Sequence, residues 1–287
     1  MLHKIFNNKN SLLIDLDNNY NNLNSLCNIK YSPTSITINI LDNIIIKQPI
    51  YIINNIINNI NIIINSGKNS KFVLIDHKNN QNNITYINCL NNSEIEYYLI
   101  QNNIKAELQI NQQANSKINA VILDNNLNNN DLKLKINLIE PDTKIYLNIL
   151  QNTKNSNISN IDLIINHLTT NSSSYTVSRA MADDTSIANL TGRIIVNTNA
   201  AKTSADLQTK GLILSKKAII NSCPELDIYN NDIACTHGAS IGHLDLDALL
   251  YMQTRGINLI EAKKMLLKAF IDPIVQAIKI PEILNIL

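Results

Sequence analysis

The run Asp232-Ile-Ala-Cys235-Thr-His237-Gly-Ala-Ser-Ile-Gly-His243-Leu-Asp-Leu-Asp247-Ala-Leu-Leu-Tyr-Met-Gln-Thr-Arg255-Gly256 divides the chain into two architectures. Upstream of it, apolar residues recur at every second position. Downstream, they recur at every third or fourth. The run itself sets a thiol and an imidazole two residues apart and then enters a helix. A mainly β body with a small helical end is expected, and the thiol–imidazole pair at the seam between them is the first place to look for function.

Upstream, from about residue 35 to residue 234, the period of two is repeated many times. Ile36, Ile38 and Ile40 alternate with Thr and Asn, and Leu132-Lys-Leu-Lys-Ile-Asn-Leu138 does the same. Lys105–Ile110, Ile145–Ile149 and Ile161–Ile165 follow the pattern. Such segments are half-buried strands, and the Asn, Ser, Asp and Gly clusters between them are turns. No helical pattern interrupts them, which disfavours a doubly wound sheet. A sandwich or barrel is one solution and a stacked solenoid is another. Asn54-Asn-Ile-Ile-Asn-Asn-Ile-Asn-Ile-Ile-Ile64 favours the solenoid, although no repeat of fixed length can be read.

Downstream, Asp245 or Asp247 lies where an acidic side chain suits a helix start. Leu246, Leu249 and Leu250 follow at helical spacing, with Arg255 in the last turn and Gly256 at the stop. Asn258 and Glu261 open a second helix with the spacing of a capping box. Pro273 and Pro281 are expected to bracket a final short helix. The expected organisation is an arm over residues 1–30, a β core over 31–238 and a helical domain over 239–287. The last is too small for a core of its own and must dock on the β part or on another protein.

The net charge is +1 and neither half is strongly charged, so nucleic acid and membrane surfaces are not expected partners. Trp is absent, which removes the strongest base-stacking side chain. The Ile-rich run from Ile44 to Ile64 is broken by Lys47, Gln48, Pro49 and several Asn. It falls short of the ~18 apolar residues of a membrane span. No signal or transit pattern opens the sequence. The four cysteines are scattered without a CxxC, so a reducing cytoplasm is expected. Asn and Ile dominate the composition, which fits an A/T-rich genome such as that of a reduced endosymbiont and says little about chemistry.

If residues 232–237 continue a strand, Cys235 and His237 share one face. A thiolate and an imidazole suit iron, zinc or copper, but two ligands do not close a site. The competing reading is a small buried cysteine beside a hydrogen-bonded histidine. A Cys–His nucleophile is disfavoured, because neighbours two apart on one strand are poorly placed for proton transfer. His77, His167 and His243 are expected at the surface, and His3 at a mobile terminus. No GxxxxGK[ST] occurs, so ATP hydrolysis by this chain is not expected. A β-solenoid carbohydrate-active enzyme would need clustered carboxylates. Glu94, Glu96, Glu107, Asp131, Glu140 and Asp142 are scattered instead.

Five ordered blocks between Arg179 and Phe270 resemble the SufB/SufD family of the SUF iron–sulfur cluster assembly scaffold. They are Leu190-Thr-Gly192-Arg-Ile-Ile-Val196, Ala200-Ala-Lys-Thr203 with Leu212–Ser215, Pro224-Glu-Leu-Asp-Ile-Tyr229-Asn-Asn-Asp232, Cys235-Thr-His237-Gly-Ala-Ser-Ile-Gly, and Asp245-Leu-Asp-Ala-Leu-Leu-Tyr-Met-Gln-Thr-Arg255-Gly256-Ile. The Cys-Thr-His-Gly segment, and the lack of an N-terminal cysteine cluster, favour the D branch over the B branch. The resemblance implies a right-handed parallel β-helix with a C-terminal α-helical domain, with the family's N-terminal helical domain largely absent. It implies a non-catalytic scaffold subunit that pairs with SufB through the last β-helix strands. It further implies that the helices bind the ATPase SufC, with Leu246, Leu249, Leu250, Tyr251 and Arg255 as docking residues. Cys235 and His237 would then lie at the SufB interface. They would serve a transient iron–sulfur cluster shared with SufB, with no cofactor held stably. A self-pairing, SufB-like scaffold is the alternative within the family.

Overall fold

The structure, a computed structural model, describes residues 12–15, 20–21, 26–54, 61–79, 84–102, 105–125 and 129–285. Its first strands are β1 (Leu12–Asp15), β2 (Tyr20–Asn21), β3 (Cys27–Tyr31), β4 (Ser35–Ile40), β5 (Ile50–Asn54) and β6 (Asn61–Asn65). There follow β7 (Lys71–Asn79), β8 (Ile84–Cys89), β9 (Glu94–Asn102), β10 (Lys105–Gln112), β11 (Lys117–Asp124), β12 (Asn130–Leu138) and β13 (Lys144–Thr153). The last are β14 (Ile158–His167), β15 (Ser173–Ala182), β16 (Ile187–Val196), β17 (Thr203–Ile213), β18 (Ile219–Ile228) and β19 (Ile233–His243). Three helices close the chain: α1 (Leu246–Thr254), α2 (Leu259–Ala277) and α3 (Pro281–Leu284).

From β4 onward, strands alternate between two sheets, and each pairs in parallel with the strand two places away in sequence. Every circuit of the chain therefore lays one strand on each sheet, and the fold is a parallel β-solenoid. Of the stretch that favoured it, residues 55–60 lie outside the described residues. The period of two is the cause of the fold. In β12 the Leu132, Leu134 and Ile136 side chains are buried while Lys133 and Lys135 are exposed. The register then stacks like on like: Ile145, Leu147 and Ile149 of β13 sit over Ile118, Ala120 and Ile122 of β11. Each buried aliphatic side chain contributes about 1.5–3 kcal/mol.

The described part of residues 1–30, expected as an arm, joins the sheets. β1 lies parallel to β5, β2 is antiparallel to β1, and β3 is antiparallel to β4.

The corners explain why no repeat length could be read. Asn43, Asn69, Asn92, Asn115, Asp142, Asn171 and Lys202 all have positive φ, at spacings of 26, 23, 23, 27, 29 and 31 residues. Asn and Asp tolerate that backbone region best after glycine. In five of these corners the next residue is a buried hydroxyl that donates to the carbonyl three positions back. The bonds run from Ser70 to Gly67, Ser93 to Leu90, Ser116 to Gln113, Ser172 to Thr169 and Thr203 to Ala200. The motif is constant and the rung length drifts. Asparagine also forms a ladder across one sheet, with Asn39, Asn65, Asn88, Asn111, Asn137 and Asn166 bonded side chain to side chain at 2.7–2.9 Å.

The helices dock on the outer face of the odd-numbered sheet. Ile274, Ile278, Ile280 and Ile283 join Tyr98, Val121, Leu150 and Met181 in one buried cluster. This explains the apolar runs Val121-Ile-Leu123 and Ile149-Leu150, since strands covered on both faces lose their alternation. Tyr98 Oη accepts from the Lys279 backbone N–H at 3.0 Å, and the Lys279 ammonium pairs with Glu96. Arg179 donates to the Phe270 carbonyl at 3.2 Å and lies over the Phe270 ring.

Pro273 does not bound a helix, as its sequence position suggested. It lies inside α2, which continues to Ala277. An interior proline costs about 3 kcal/mol, and the burial of Ile274 and Ile278 just beyond it offsets that cost. His167 is likewise not at the surface. It is fully buried, with Nδ1 2.7 Å from Ser172 Oγ and Nε2 2.9 Å from Ser174 Oγ. His77 is half-buried and His243 is exposed, while His3 lies outside the described residues.

Candidate functional site

The final rung is formed by β18 and β19, the last strands of their respective sheets. Cys235 pairs in register with Ala205, and His237 with Leu207. Both partners are buried in the lumen, and parallel neighbours share a face, so Cys235 and His237 also face the lumen. Among the described residues, no further rung covers them. Cys235 packs half-buried against the main core, and His237 is exposed. Opposite them, β18 continues the lumen-facing rows of β16 with Ile220, Ser222, Pro224, Leu226 and Ile228. Ser222 Oγ meets Thr209 Oγ1 of the other sheet at 2.7 Å.

The residues between and beside Cys235 and His237 have structural reasons of their own. Thr236 Oγ1 donates to Asp206 Oδ1 at 2.5 Å on the outer face. Gln208 Nε2 donates to the same oxygen at 2.7 Å. A side chain at Gly238 would place its Cβ 2.7 Å from Gln208 Oε1. The Cys-Thr-His-Gly segment is thus pinned on its outer side, which holds the thiol and the imidazole at the lumen mouth. The other blocks read similarly. A Cβ at Gly192 would fall 2.8 Å from Leu207 Cδ2, directly beneath His237. Arg193 and Glu225 pair at 2.6 Å outside. Pro224 lies on an edge strand, where its missing N–H is tolerated.

Burial pushes the Cys235 thiol up, while a hydrogen bond with the Ala205 backbone pulls the other way. A raised thiol is the reverse of what a nucleophilic cysteine needs, and no hydrogen bond joins it to His237. Among the described residues, no three His, Cys, Asp or Glu side chains gather into a metal-binding group. A metal held by Cys235 and His237 would need its remaining ligands from another molecule. Of the scattered acids, Glu94 pairs with Lys71 and Lys117, Glu96 with Lys279, and Glu140 accepts from the Ala114 N–H.

A second surface lies on the helices. Asp245 caps α1 through the Ala248 N–H at 2.9 Å, and Asn258 caps α2 through the Glu261 N–H at 3.0 Å. The Glu261 carboxylate turns to Lys264 rather than back to the cap. Leu246, Leu250 and Tyr251 are 74%, 62% and 60% exposed, and the Arg255 guanidinium lies 5.2 Å from the Tyr251 ring centroid. Leu249 differs from these four: at 5% exposed it is buried within this chain and is not available for docking. The sequence reading missed Leu259, Ile260 and Met265, which are also exposed. Their signal was present, since α2 carries more apolar positions than a single buried stripe can use.

Residues 52–270 match the profile of the family described as SUF system FeS cluster assembly, SufBD core domain. A stretch of 101 residues is 32% identical to the iron–sulfur cluster assembly protein SufD of Escherichia coli, covering 35% of this chain and 24% of that protein. Over 105 residues the chain is 33% identical to an iron–sulfur cluster assembly SufBD family protein of Synechocystis, covering 37% of this chain and 23% of the relative. It is 38% identical over 85 residues to the chloroplastic protein ABCI7 of Arabidopsis thaliana, covering 30% of this chain and 18% of that one. These matches span only a part of each relative. The family profile reaches well upstream of Arg179, beyond the five blocks that carried the resemblance. With that profile extending over more than half of its length, the chain belongs to the SufBD core family of the SUF system for iron–sulfur cluster assembly.

Proposed function

We propose that the chain is a non-catalytic scaffold subunit of iron–sulfur cluster assembly, which pairs with SufB through its final solenoid rung and binds the ATPase SufC through its helices. The observation that carries this reading is the open end of the solenoid. Two edge strands of 10 and 11 residues present unpaired backbone groups, and such edges recruit a further strand. Two soft donors stand in the mouth between them. An iron–sulfur cluster under construction is cargo here, and Cys235 and His237 supply part of a ligand set that SufB completes. Neutral imidazole and thiolate both suit iron. The exposed apolar face of α1, with Leu246, Leu250, Tyr251 and Arg255, is the docking surface for the ATPase. ATP hydrolysis belongs to that partner, and the complex works in the cytoplasm.

Co-expression with SufB and SufC from the same genome tests the assignment. The expected product is a complex with one copy of this chain, one SufB and two SufC, read from its native mass. His237→Ala should leave that mass unchanged and lower the yield of reconstituted cluster at least tenfold. If SufB and SufC assemble without this chain, the scaffold reading is wrong. If His237→Ala makes the chain insoluble, the histidine is structural.

A further inference from the structure

A groove of about 510 Å³ lies between α2 and the C-terminal ends of β13, β15 and β17, remote from the final rung. Its floor is aliphatic: Met181 and Leu214 from the sheet side, Leu267, Ile271 and Val275 from α2, and Leu284 from α3. Its charged lining is Lys154, Lys264, Lys268 and Asp183. Asp183 is already engaged, accepting from Ser215 Oγ and from the Asp184 N–H. Lys264 pairs with Glu261 at 3.3 Å. Among the described residues, Lys154 and Lys268 have no ion-pair partner. The groove therefore offers an apolar trough whose three lysines outnumber its one carboxylate, Asp183, which the Ser215 hydrogen bond and then the charges of Lys263 and Lys154 hold below the usual carboxylate range.

We propose that this groove binds an amphiphilic carboxylate, with its aliphatic chain on Met181, Leu267, Ile271 and Val275 and its carboxylate between Lys154 and Lys268. The volume lies within the range of small-molecule sites, about 300–1,000 Å³, and a mostly apolar lining with a few polar groups is their usual composition. Lysine provides a point charge on a flexible stem whose methylenes extend the apolar wall. The charge selects an anion over a neutral or cationic amphiphile of equal length.

Isothermal titration of the full chain with decanoate, below its micelle-forming concentration, tests the proposal against decylamine as the cationic counterpart. Saturable binding of decanoate at one site is expected, with none for decylamine. The double variant Lys154→Gln/Lys268→Gln changes two exposed side chains and should fold normally, as circular dichroism would verify. It should weaken decanoate binding about tenfold, the loss of one charge-assisted contact. Raised salt should weaken binding to the parent chain more than to the variant. Equal binding of decylamine would reduce the groove to an apolar adsorption surface, and unchanged affinity in the double variant would remove the lysines from the site. Either result overturns the proposal, as does the absence of saturable decanoate binding. So would a native mass of two chains that falls to one when decanoate is added, since the groove would then belong to a second copy.

Discussion

His167 is a neutral imidazole held between two serine hydroxyls inside the solenoid, and burial pushes its pKa down to about 4. The unfolded chain, with an ordinary histidine, binds the proton more readily. The stability that His167 contributes is present above pH ~6.5 and is lost as pH falls through 4. The loss amounts to about 3 kcal/mol at most. Asp124 acts in the opposite sense. Burial raises it to about 6 in spite of hydrogen bonds from Ser159 and Asn130, so its contribution is lost as pH rises through 6. Denaturant titrations of the parent and His167→Gln at pH 7 and pH 4 separate the two. Glutamine can still bond the serines, and its stability should fall less on acidification than the parent's. Equal losses would place the acid sensitivity elsewhere. Asparagine also matters at this scale. In the corners it supplies positive φ, and across the sheet its side chains bond one another, so the composition has structural consequences whatever its genomic origin.

Among the elements, the strands and both helix starts were legible because each rests on a local signal. Alternation in Leu132–Leu138 gave a strand, and Asp245 and Asn258 gave caps. What was not legible depends on contacts made only once the chain turns its corners, the rungs stack and the helices dock. Nothing around His167 announces that Ser172 and Ser174 enclose it. Leu249 and Leu250 look alike until the helix is docked, when one is buried and the other is 62% exposed. Pro273 reads as a helix stop unless the sheet beneath Ile274 and Ile278 is known. Cys235 and His237 could be placed on one face, but that they lie at an uncovered end follows only from the solenoid's termination. The docking of α2 yields an expectation of its own. Ile274→Ala should lower stability by about 2–5 kcal/mol and speed amide hydrogen exchange in α2 more than in β7–β17. Equal acceleration throughout would mean that helices and solenoid unfold as one unit.

Taken whole, the molecule is asymmetric along its axis. Among the described residues, the outermost strands at the end opposite the final rung are β2, of two residues, and β3, of five residues with Lys30 exposed. Short and charged strands resist further pairing. At the other end β18 and β19 are long and free. Ile241, which faces the lumen mouth and is 44% exposed, is the residue to test. Ile241→Lys places an inward-pointing charge on the edge, and co-expression with SufB should then lose the pair that the parent is proposed to form, as native mass would show. A pair that survives the substitution would mean that SufB binds elsewhere on the chain. The unequal ends set a combining number. A rod that can be extended at both ends polymerises without limit, whereas one with a single receptive end is satisfied by one neighbour and stops. The drift in rung length adds to this, because a narrower early rung cannot mate with a broad final one. A repetitive β protein, of the kind most prone to fibres, is then expected to stop at pairs, which its native mass would check.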